Sequence, residues 1–222
     1  YIWNVLATDV DFAPDGSLFL SDWVNGWDGE NKGRIYRFAA KSEEAIASGK
    51  SSAEILKNGF KKLSSSELAS LLSNPDRRIR FESQYELAAR GEAKVLSTAL
   101  QSENAIVRLH AVWGLGQIAR LSESELATQS LITALADAEE SVVARACEML
   151  SESKKGISSD QLKSLLANAS PVVKTHAMMA VGRMGATDCL DDVARILIEN
   201  EDKDPIVRHA GIMAFTGGIG NS

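Results

Sequence analysis

The sequence is informative first for what it lacks. Among 222 residues there are only two cysteines and four prolines, and 6% of the residues are aromatic. No apolar run approaches the roughly 18 to 20 residues of a membrane-spanning helix, and no signal-type segment opens the chain. Basic residues are not in excess, since the formal net charge is −6. A nucleic-acid partner is therefore disfavoured, because a phosphate backbone requires a positive surface.

What the sequence does contain is a repeat. Val107 begins a frame with a basic residue at the next position, a small residue four positions on and a large apolar residue six positions on. The same frame begins at Ile79, Val143, Val173 and Val207, so that successive anchors are 28, 36, 30 and 34 residues apart. A period of about 30 to 40 residues is typical of stacked helical pairs. Residues 64–222 are therefore predicted to form an α-solenoid of about five helix pairs.

Three columns of residues follow from this frame. The small column, four residues after each anchor, is Ser83, Ala111, Cys147, Ala177 and Gly211. The basic column, one residue after the anchor, is Arg80, Arg108, Lys174 and Arg208, with Ala144 in the third copy. The +6 column, six residues after the anchor, is Tyr85, Trp113, Met149, Met179 and Met213.

The +6 column and the basic column are the candidate partner-binding residues. Six helical residues correspond to 600°, which places the +6 column well off the core-facing direction, yet it is apolar in all five copies. One interpretation is a concave groove for a partner segment, or for another domain of the same protein, and the alternative is packing between neighbouring second helices. The basic column either forms a stripe for an anionic partner or pairs with acidic residues at adjacent helix starts, such as Asp76, Glu103, Glu140 and Asp204.

Helix starts are marked by capping motifs. Ser-x-x-Glu or Ser-x-x-Gln boxes at Ser64, Ser122 and Ser158 predict first helices, and a cap followed by proline at Asn74, Ser170 and Asp204 predicts second helices. The predicted pairs are 64–73 and 75–91, 92–100 and 103–120, 122–136 and 138–154, 158–167 and 170–184, and 187–199 and 204–216.

The spacing of the cysteines and histidines does not favour a disulfide or a metal site. Cys147 and Cys189 lie two repeats apart, which is about 20 Å at a helix spacing of 8 to 10 Å and too far for a disulfide, so free thiols are expected. His110 and His176 are separated by the same distance and cannot share a metal ion. Gly114 and Gly116 lie within a helical pattern and not after a strand, as a phosphate-binding loop requires. With no acid/base or nucleophile constellation, these residues are not expected to form a catalytic site.

Residues 1–39 have a different pattern. Strand, turn and strand are predicted around Asp15-Gly16, because this pair favours the positive φ of a hairpin turn. A further strand pair is predicted across the loop from Asn25 to Lys32, with alternation over 33–38. Because these few strands cannot bury both faces of a sheet, they are expected to be the end of a larger β-structure. Residues 40–63 are predicted to be a polar linker, interrupted at Gly49 and Gly59, with a short helix near 52–57.

The segments DVDFAPDGSLFLSDWVNGW and GRIYRF resemble the last blade of the six-bladed β-propeller of sorbosone and glucose dehydrogenase-like quinoproteins. Followed by HEAT repeats, they look like the large membrane-bound dehydrogenases of planctomycetes and verrucomicrobia. The resemblance implies an exported, periplasmic parent that oxidises a sugar or alcohol with PQQ, calcium and haem c. Because the sequence begins without methionine and ends within a helical pattern, the chain is expected to be a fragment cut at both ends. The catalytic blades and the haem motif C-x-x-C-H are missing from these 222 residues, so no cofactor or metal site is assigned to them.

An acidic cluster within this segment has two interpretations. It consists of Asp9, Asp11, Asp15, Asp22, Asp28 and Glu30. The oxygen ligands would suit calcium at a propeller rim, whereas the alternative is ordinary turn chemistry at strand ends.

The sequence as a whole is interpreted as a non-catalytic HEAT-type scaffold fragment, mainly α-helical, that binds a protein partner or the parent's own propeller or cytochrome domain. The alternative is a free-standing HEAT-repeat binding protein whose first 39 residues form a small β cap. The coarse division is terminal propeller strands at 1–39, linker at 40–63 and solenoid at 64–222.

Overall fold

The computed structural model describes residues 5–23, 32–154 and 156–219, with the side chains of 218 and 219 excepted. The chain divides into two compact units, Tyr1–Lys62 and Leu63–Ser222. In the described ranges, every helix is too short or too polar to span a bilayer.

The first unit contains a three-stranded antiparallel sheet in the order β1-β2-β3. Its strands are β1 (Ala7–Phe12), β2 (Leu18–Asp22) and β3 (Arg34–Phe38). The hairpin predicted at Asp15-Gly16 is confirmed: the Ser17 amide donates to Asp15 Oδ1 at 2.9 Å, and Gly16 has a φ of 77°. The strand predicted over 33–38 is confirmed as β3, whereas the predicted loop before it lies, except for Lys32, outside the described residues.

One face of this sheet carries two adjacent rows of paired residues that are entirely apolar. Val10 pairs with Leu20, which pairs with Tyr36 on the other side, and the next row on the same face is Phe12, Leu18 and Phe38. The pleat places the residues between these rows, including Asp9, Asp11 and Arg37, on the opposite face. Val10 and Phe12 remain 55% and 65% exposed.

Helix α1 (Glu43–Asn58) is longer than the predicted helix at 52–57, and Gly49 does not interrupt it. Ser42 caps its start, since Ser42 Oγ accepts from the Ala45 amide at 3.3 Å. A Cβ on Gly49 would stand 2.2 Å from the carbonyl oxygen of Asp15. Gly49 therefore permits a close approach to the hairpin turn. Gly59 ends the helix with a φ of 71°, a conformation that favours glycine, and its amide donates to the Ile55 carbonyl.

The second unit consists of five helical pairs, as predicted. The pairs are α2 (Ser65–Leu71) and α3 (Arg77–Ala89), α4 (Ala93–Ala99) and α5 (Ala105–Leu121), α6 (Glu125–Ala134) and α7 (Glu140–Ser153), α8 (Ser159–Leu166) and α9 (Pro171–Met184), and α10 (Leu190–Asn200) and α11 (Pro205–Ile219). A short 3₁₀ turn, Thr187–Cys189, precedes α10. The observed helix ends lie within a few residues of the predicted ones.

Four of the six predicted helix starts are confirmed. Ser64 and Ser158 form complete capping boxes with Glu67 and Gln161. The Ser170 hydroxyl accepts from the Val173 amide, and Asp204 Oδ1 accepts from the Ile206 amide at 2.8 Å.

Two predicted starts are wrong. Ser122 ends α5, because its hydroxyl donates back to the Ile118 carbonyl at 2.8 Å, and Ser124 caps α6 instead. Pro75 precedes the cap of α3, which is Asp76: its Oδ1 accepts from the Arg78 amide at 2.9 Å.

The helical pairs stack in two layers. The second helices, α3, α5, α7, α9 and α11, each pack against the next one, and each first helix packs against its own second helix. All five anchors and all five members of the small column are buried. No pair could bury these residues alone, so stability is shared along the stack.

Candidate partner-binding surface

The +6 column lies on one side of the second-helix layer and is only partly covered. Trp113, Met149 and Met179 are half-buried, whereas Tyr85 and Met213 are 47% and 39% exposed. All five residues line one of two grooves that run across neighbouring second helices. The column therefore contributes apolar lining to both grooves and is not a set of isolated surface residues.

The first groove, about 200 Å³ in volume, crosses α3, α5 and α7. Its wall begins with an aromatic cluster: the Phe81 ring lies 5.7 Å from Trp113 and 6.1 Å from Tyr85, centroid to centroid, in stacked geometry. His110 meets Phe81 edge-on at 5.1 Å and Trp113 edge-on at 5.2 Å. Ring packing across α3 and α5 therefore holds Trp113 in place and leaves the Tyr85 ring open to solvent.

The second groove, about 390 Å³ in volume, crosses α7, α9 and α11 and is lined by Met179 and Met213. Two glycines form its floor, because α9 and α11 approach closely there: a Cβ on Gly182 would stand 2.5 Å from the Met213 carbonyl oxygen. A Cβ on Gly217 would stand 2.8 Å from the Gly182 carbonyl oxygen. Any larger residue at either position would separate the two helices.

Charged side chains of both signs edge these grooves. Glu152 of α7 lines both of them and lies 3.6 Å from Arg120 Nη1. Arg183 and Lys154 line the second groove, and Arg183 Nη1 donates to the Ser151 hydroxyl at 3.2 Å. The lining is apolar at its centre and carries hydrogen-bonding groups at its edge.

Two of the four residues of the basic column, Arg80 and Arg108, form hydrogen bonds with other residues of the solenoid. Arg80 donates to the carbonyls of Asn74 and Pro75 and to His110 Nε2. Arg108 donates in the same way to the carbonyls of Ser102 and Glu103, and its Nε and Nη2 bind both oxygens of Asp137 at 2.8 and 2.9 Å.

The other two residues of the basic column, Arg208 and Lys174, have different surroundings. Arg208 pairs with Asp202 of its own loop at 2.5 Å. Lys174 lines a cavity between the fourth and fifth pairs, together with Glu199 and Asp204. The carboxylates that pair with Arg108 and Arg208 lie in loops and differ from the four acidic residues suggested by the sequence.

Burial and hydrogen bonding shift two of the pKa values here. The hydrogen bonds that Arg108 donates to Asp137 raise the pKa of its guanidinium against the opposing effect of burial. Burial raises the pKa of Asp137, but hydrogen bonds from Arg108 and from the Glu139 amide outweigh it, so the pKa lies below its ordinary value. The pair is therefore ionised at neutral pH and ties the second helical pair to the third.

His110 is a structural residue. It is 2% exposed, its Nδ1 lies 2.9 Å from Gln84 Oε1, and its Nε2 accepts from Arg80. Burial, followed by the Arg80 charge, lowers its pKa to about 4. The ring is neutral at pH 7, with its proton on Nδ1 facing the amide oxygen.

Metal and thiol chemistry find no support in the part of the chain that the structure describes. No cluster of three or more His, Cys, Asp or Glu side chains in those ranges could hold a metal ion. Cys147 and Cys189 are buried free thiols, as predicted, and burial raises the pKa of Cys147 to about 12. Such a thiol is a poor nucleophile.

The acidic cluster of the first unit is satisfied by local partners where it is described. Asp22 is 3% exposed, accepts from the Leu6 amide at 2.9 Å and lies 3.1 Å from Arg34. Asp15 pairs with Arg37 at 2.8 Å, and hydrogen bonds from Ser17, with Arg37, hold its pKa below its ordinary value. Asp9 and Asp11 accept from the amides that follow them. Asp28 and Glu30 lie outside the described residues.

Several groove residues were not identified from the sequence. They are Phe81, Gln84, Gln117, Arg120, Glu152 and Arg183. The frame contains a signal for Glu152, which is nine residues after its anchor. Gly116 and Gly182 hold the same place in their own repeats, and each lies against the +6 residue of the next second helix. Phe81 has no counterpart in the other repeats and could not be recognised from the period.

Comparison with known proteins supports the architecture. Residues 65–152 match the family model of HEAT repeats. The chain is similar to a protein in the complex of CpcE and CpcF of phycocyanin lyase from Nostoc sp. PCC7120, with a TM-score of 0.54 and 20% identity over 72% of this chain and 66% of that chain. The chain thus spans just under two thirds of that protein.

Two further solved structures are more distant. A designed armadillo repeat protein in complex with the peptide (KR)4 has a TM-score of 0.49 and 16% identity, over 81% of this chain and 95% of that one. Human deoxyhypusine hydroxylase in complex with glycerol has a TM-score of 0.45 and 16% identity, over 79% of this chain and 67% of that one. No curated protein sequence matches the chain. The family match and the stacked pairs together show a HEAT-type α-solenoid.

Proposed function

We propose that the solenoid is a non-catalytic protein-interaction module that binds a partner segment along the +6 column. The observation that supports this most directly is that all five members of the column line two grooves on the same side of the second helices. Repeat arrays characteristically use one face of the stack as an extended binding surface.

The chemistry of the lining suits an apolar protein segment. Three of its five column members are methionines, whose flexible thioether side chains adapt to partners of varied shape. Tyr85 at one end offers a ring with a polar hydroxyl, which can bind both apolar and polar groups. Arg120, Glu152 and Arg183 at the edge can satisfy the backbone polar groups of a bound segment.

The spacing of the helices restricts the partner further. Packed helices lie about 8 to 10 Å apart, and an extended chain rises about 3.3 Å per residue. Side chains of a β-strand alternate between two faces, so every third residue does not return to the same face. A polyproline II segment has three residues per turn and rises about 3.1 Å per residue, so it would place every third side chain against the column about every 9 Å.

A peptide selection tests this proposal. Random 12-residue peptides displayed on phage are selected on the 222-residue chain, and the enriched peptides are synthesised and titrated by calorimetry. We expect enriched peptides with recurring apolar residues, and at least about tenfold weaker binding to the Tyr85→Ser/Met213→Ser variant. Both positions are already partly exposed, so the melting temperature should change little.

Leu126→Ser on α6 is the matched control, because Leu126 is 47% exposed, as Tyr85 is, but belongs to a first helix. This control should bind the peptides like the unaltered chain. Equal binding by the groove variant, or loss of binding by Leu126→Ser, would count against the groove.

A finer proposal concerns the protein in which this module acts. The resemblance of residues 1–39 to a terminal propeller blade supports an exported sugar or alcohol dehydrogenase parent, with PQQ, calcium and haem c bound elsewhere in it. The exposed apolar sheet face, with Val10 and Phe12, is consistent with strands that pack on a neighbouring sheet. In that parent, the partner segment would come from the propeller or the cytochrome domain.

The rival proposal is a free-standing HEAT-repeat binding protein in which the sheet is a small cap. The coding sequence upstream of Tyr1 distinguishes the two. Five further propeller blades in frame would support the dehydrogenase parent, whereas a start codon close to Tyr1 would rule it out and leave the groove proposal intact.

A further inference from the structure

The second groove has a cationic edge, which consists of Lys154 and Arg183. The one carboxylate in its described lining is Glu152, which also lies 3.6 Å from Arg120 Nη1 of the first groove. Among the residues that the structure describes, neither Lys154 nor Arg183 forms an ion pair. The groove therefore has a local positive charge, whereas the chain as a whole has a formal net charge of −6.

The Arg183 side chain is positioned by a buried hydroxyl and not by a carboxylate. Its Nη1 donates to Ser151 Oγ at 3.2 Å, and this hydroxyl donates in turn to the Glu148 carbonyl at 2.8 Å. Ser151 is 1% exposed, so it fixes one side of the half-buried guanidinium. A guanidinium has five N–H donors, and most of those of Arg183 are not used by the described part of the chain.

A basic residue near the end of a helix often interacts with the last carbonyls of that helix. Arg183 lies in the last turn of α9, but its hydrogen bond crosses to Ser151 of α7. Arg90 and Arg120, at the corresponding ends of α3 and α5, pair with carboxylates of the solenoid. Stabilisation of its own helix therefore does not account for the position of Arg183.

The cationic edge follows the +6 column. Arg183 comes four residues after Met179, and Lys154 comes five residues after Met149. These separations are about 6 to 8 Å along a helix axis, at a rise of about 1.5 Å per residue. A segment that lies along the column therefore has the two cations on one flank, within reach of a side chain next to the one that faces the column.

We propose that the partner segment has an aspartate or glutamate next to an apolar residue, and that Arg183 and Lys154 bind its carboxylate. The apolar residue then contacts Met179 and Met213. This inference rests on the proposed function and specifies the chemistry of the partner. A guanidinium held on one side suits a carboxylate, which can accept two parallel hydrogen bonds from it.

A side-chain carboxylate fits better than the carboxylate of a chain end. The cations lie beside the column and not across it, and Glu152 lines both grooves, so the lining continues from the second groove into the first. A bound segment can therefore continue past Arg183 and Lys154.

The test uses the 12-residue phage library, selected in parallel on the unaltered chain and on Lys154→Gln/Arg183→Gln. We expect Asp and Glu next to apolar residues to be enriched on the unaltered chain only. The net charge of −6 acts against this result, because it repels acidic peptides. Lys94→Gln/Arg195→Gln is the matched control, since it removes two exposed cations from the first helices α4 and α10, and it should select acidic peptides as the unaltered chain does.

Titration of the enriched peptides, synthesised with amidated C-termini, gives the size of the effect. Replacing the acidic residue by its amide should weaken binding to the unaltered chain at least about tenfold. The same replacement should change little in binding to Lys154→Gln/Arg183→Gln, whose melting temperature checks that it is folded.

The outcomes separate this inference from the proposed function. Enriched peptides that lose binding in Tyr85→Ser/Met213→Ser but show no acidic preference would overturn the inference and leave the groove proposal intact. Acidic peptides that bind Lys154→Gln/Arg183→Gln normally would also overturn it. An amide peptide whose affinity is restored by a free C-terminal carboxylate would assign the cations to a chain end instead. The absence of any groove-dependent peptide would overturn both proposals.

Discussion

Met149 of α7 lies directly against Gly116 of α5: a Cβ on Gly116 would stand 2.4 Å from Met149 Sδ and 2.8 Å from Met149 Cβ. The first residue is six positions after its anchor and the second is nine positions after its own. Between α9 and α11 the same two positions also meet, but there Gly182 lies against the backbone of Met213, since a Cβ on Gly182 would stand 2.5 Å from the Met213 carbonyl oxygen. The +6 residue therefore has two roles, since it packs on the preceding helix and lines the groove with what remains exposed.

Gly116→Ala should destabilise the solenoid. Alanine gains about 1 kcal/mol of helix propensity, but its methyl group overlaps the base of the Met149 side chain, and overpacking costs about 1 to 3 kcal/mol. We expect a net loss of about 1 kcal/mol in the free energy of unfolding, measured with urea. In the Gly116→Ala/Met149→Ala double variant the two effects should be coupled by about 1 kcal/mol, and strict additivity would show that the contact is not formed.

Ser83→Ala should stabilise the protein. Ser83 Oγ is fully buried and has no hydrogen-bond partner within the part of the chain that the structure describes, at a position where other repeats have Ala111 and Ala177. Removing an unsatisfied hydroxyl should raise the unfolding free energy by about 1 kcal/mol. Ser130→Ala is the control, because Ser130 Oγ donates to the Leu126 carbonyl at 2.7 Å and its removal should destabilise. A loss of stability in Ser83→Ala would mean that a bound water satisfies the hydroxyl.

Asp137→Asn should weaken the joint between the second and third pairs. Arg108 and Asp137 are 14% and 11% exposed, so the loss of the charge leaves a poorly solvated guanidinium and should cost about 2 to 3 kcal/mol at pH 7. The Glu201→Gln control removes an exposed pair with Lys203 and should cost less than about 0.5 kcal/mol.

The same pair gives a pH dependence. Because the pKa of Asp137 is lowered in the folded protein, its contribution is present above the unfolded pKa of about 4 and is lost as the pH falls through the folded value. The stability difference between the unaltered chain and Asp137→Asn should therefore shrink as the pH falls below about 4. A difference that stays constant over this range would contradict the ion pair.

His110 should make the solenoid less stable in mild acid. Its pKa is lowered to about 4, against 6.5 for an unperturbed imidazole, so the unfolded chain binds a proton that the folded chain does not between these values. Protonation of His110 in the unfolded chain should therefore lower the free energy of unfolding by about 2 to 3 kcal/mol from pH 7 to pH 4. His110→Gln should remove that part of the slope, with the exposed His209→Gln as control. An unchanged slope in His110→Gln would assign the acid sensitivity to other groups.

The repeat architecture could be predicted because the interactions that start and align each helix are between residues close together in the sequence. Ser64 and Ser158 cap their helices through neighbours three residues away, so the sequence contains the whole interaction. Where two caps compete, local reasoning fails. Ser122 and Ser124 are both followed by glutamate, and only the length of α5 decides that Ser122 belongs to its end. Asn74 and Asp76 flank Pro75 in the same way, and Asp76 caps α3.

The groove was predictable only in part. The apolar +6 column is visible in the sequence, but its contact with residues nine positions after the preceding anchor depends on how adjacent helices are staggered. Gly49 is a second example. Its residue type alone predicts an interruption of the helix, whereas the structure shows that glycine is needed there because the Asp15 carbonyl, more than thirty residues earlier in the chain, lies against it. Contacts of this kind are tertiary, and no local pattern records them.

If the +6 column is the binding face, the five methionines of the chain allow binding there to be tested at single residues. Three of them, Met149, Met179 and Met213, belong to the column, whereas Met178 is fully buried and Met184 ends α9. A ¹³C-methyl methionine NMR spectrum, recorded while a selected 12-residue peptide is titrated into the chain, reports on all five. We predict shifts for the three column methyl groups and much smaller ones for the other two. Shifts confined to Met178 and Met184, or none at all with the peptide bound, would contradict the account.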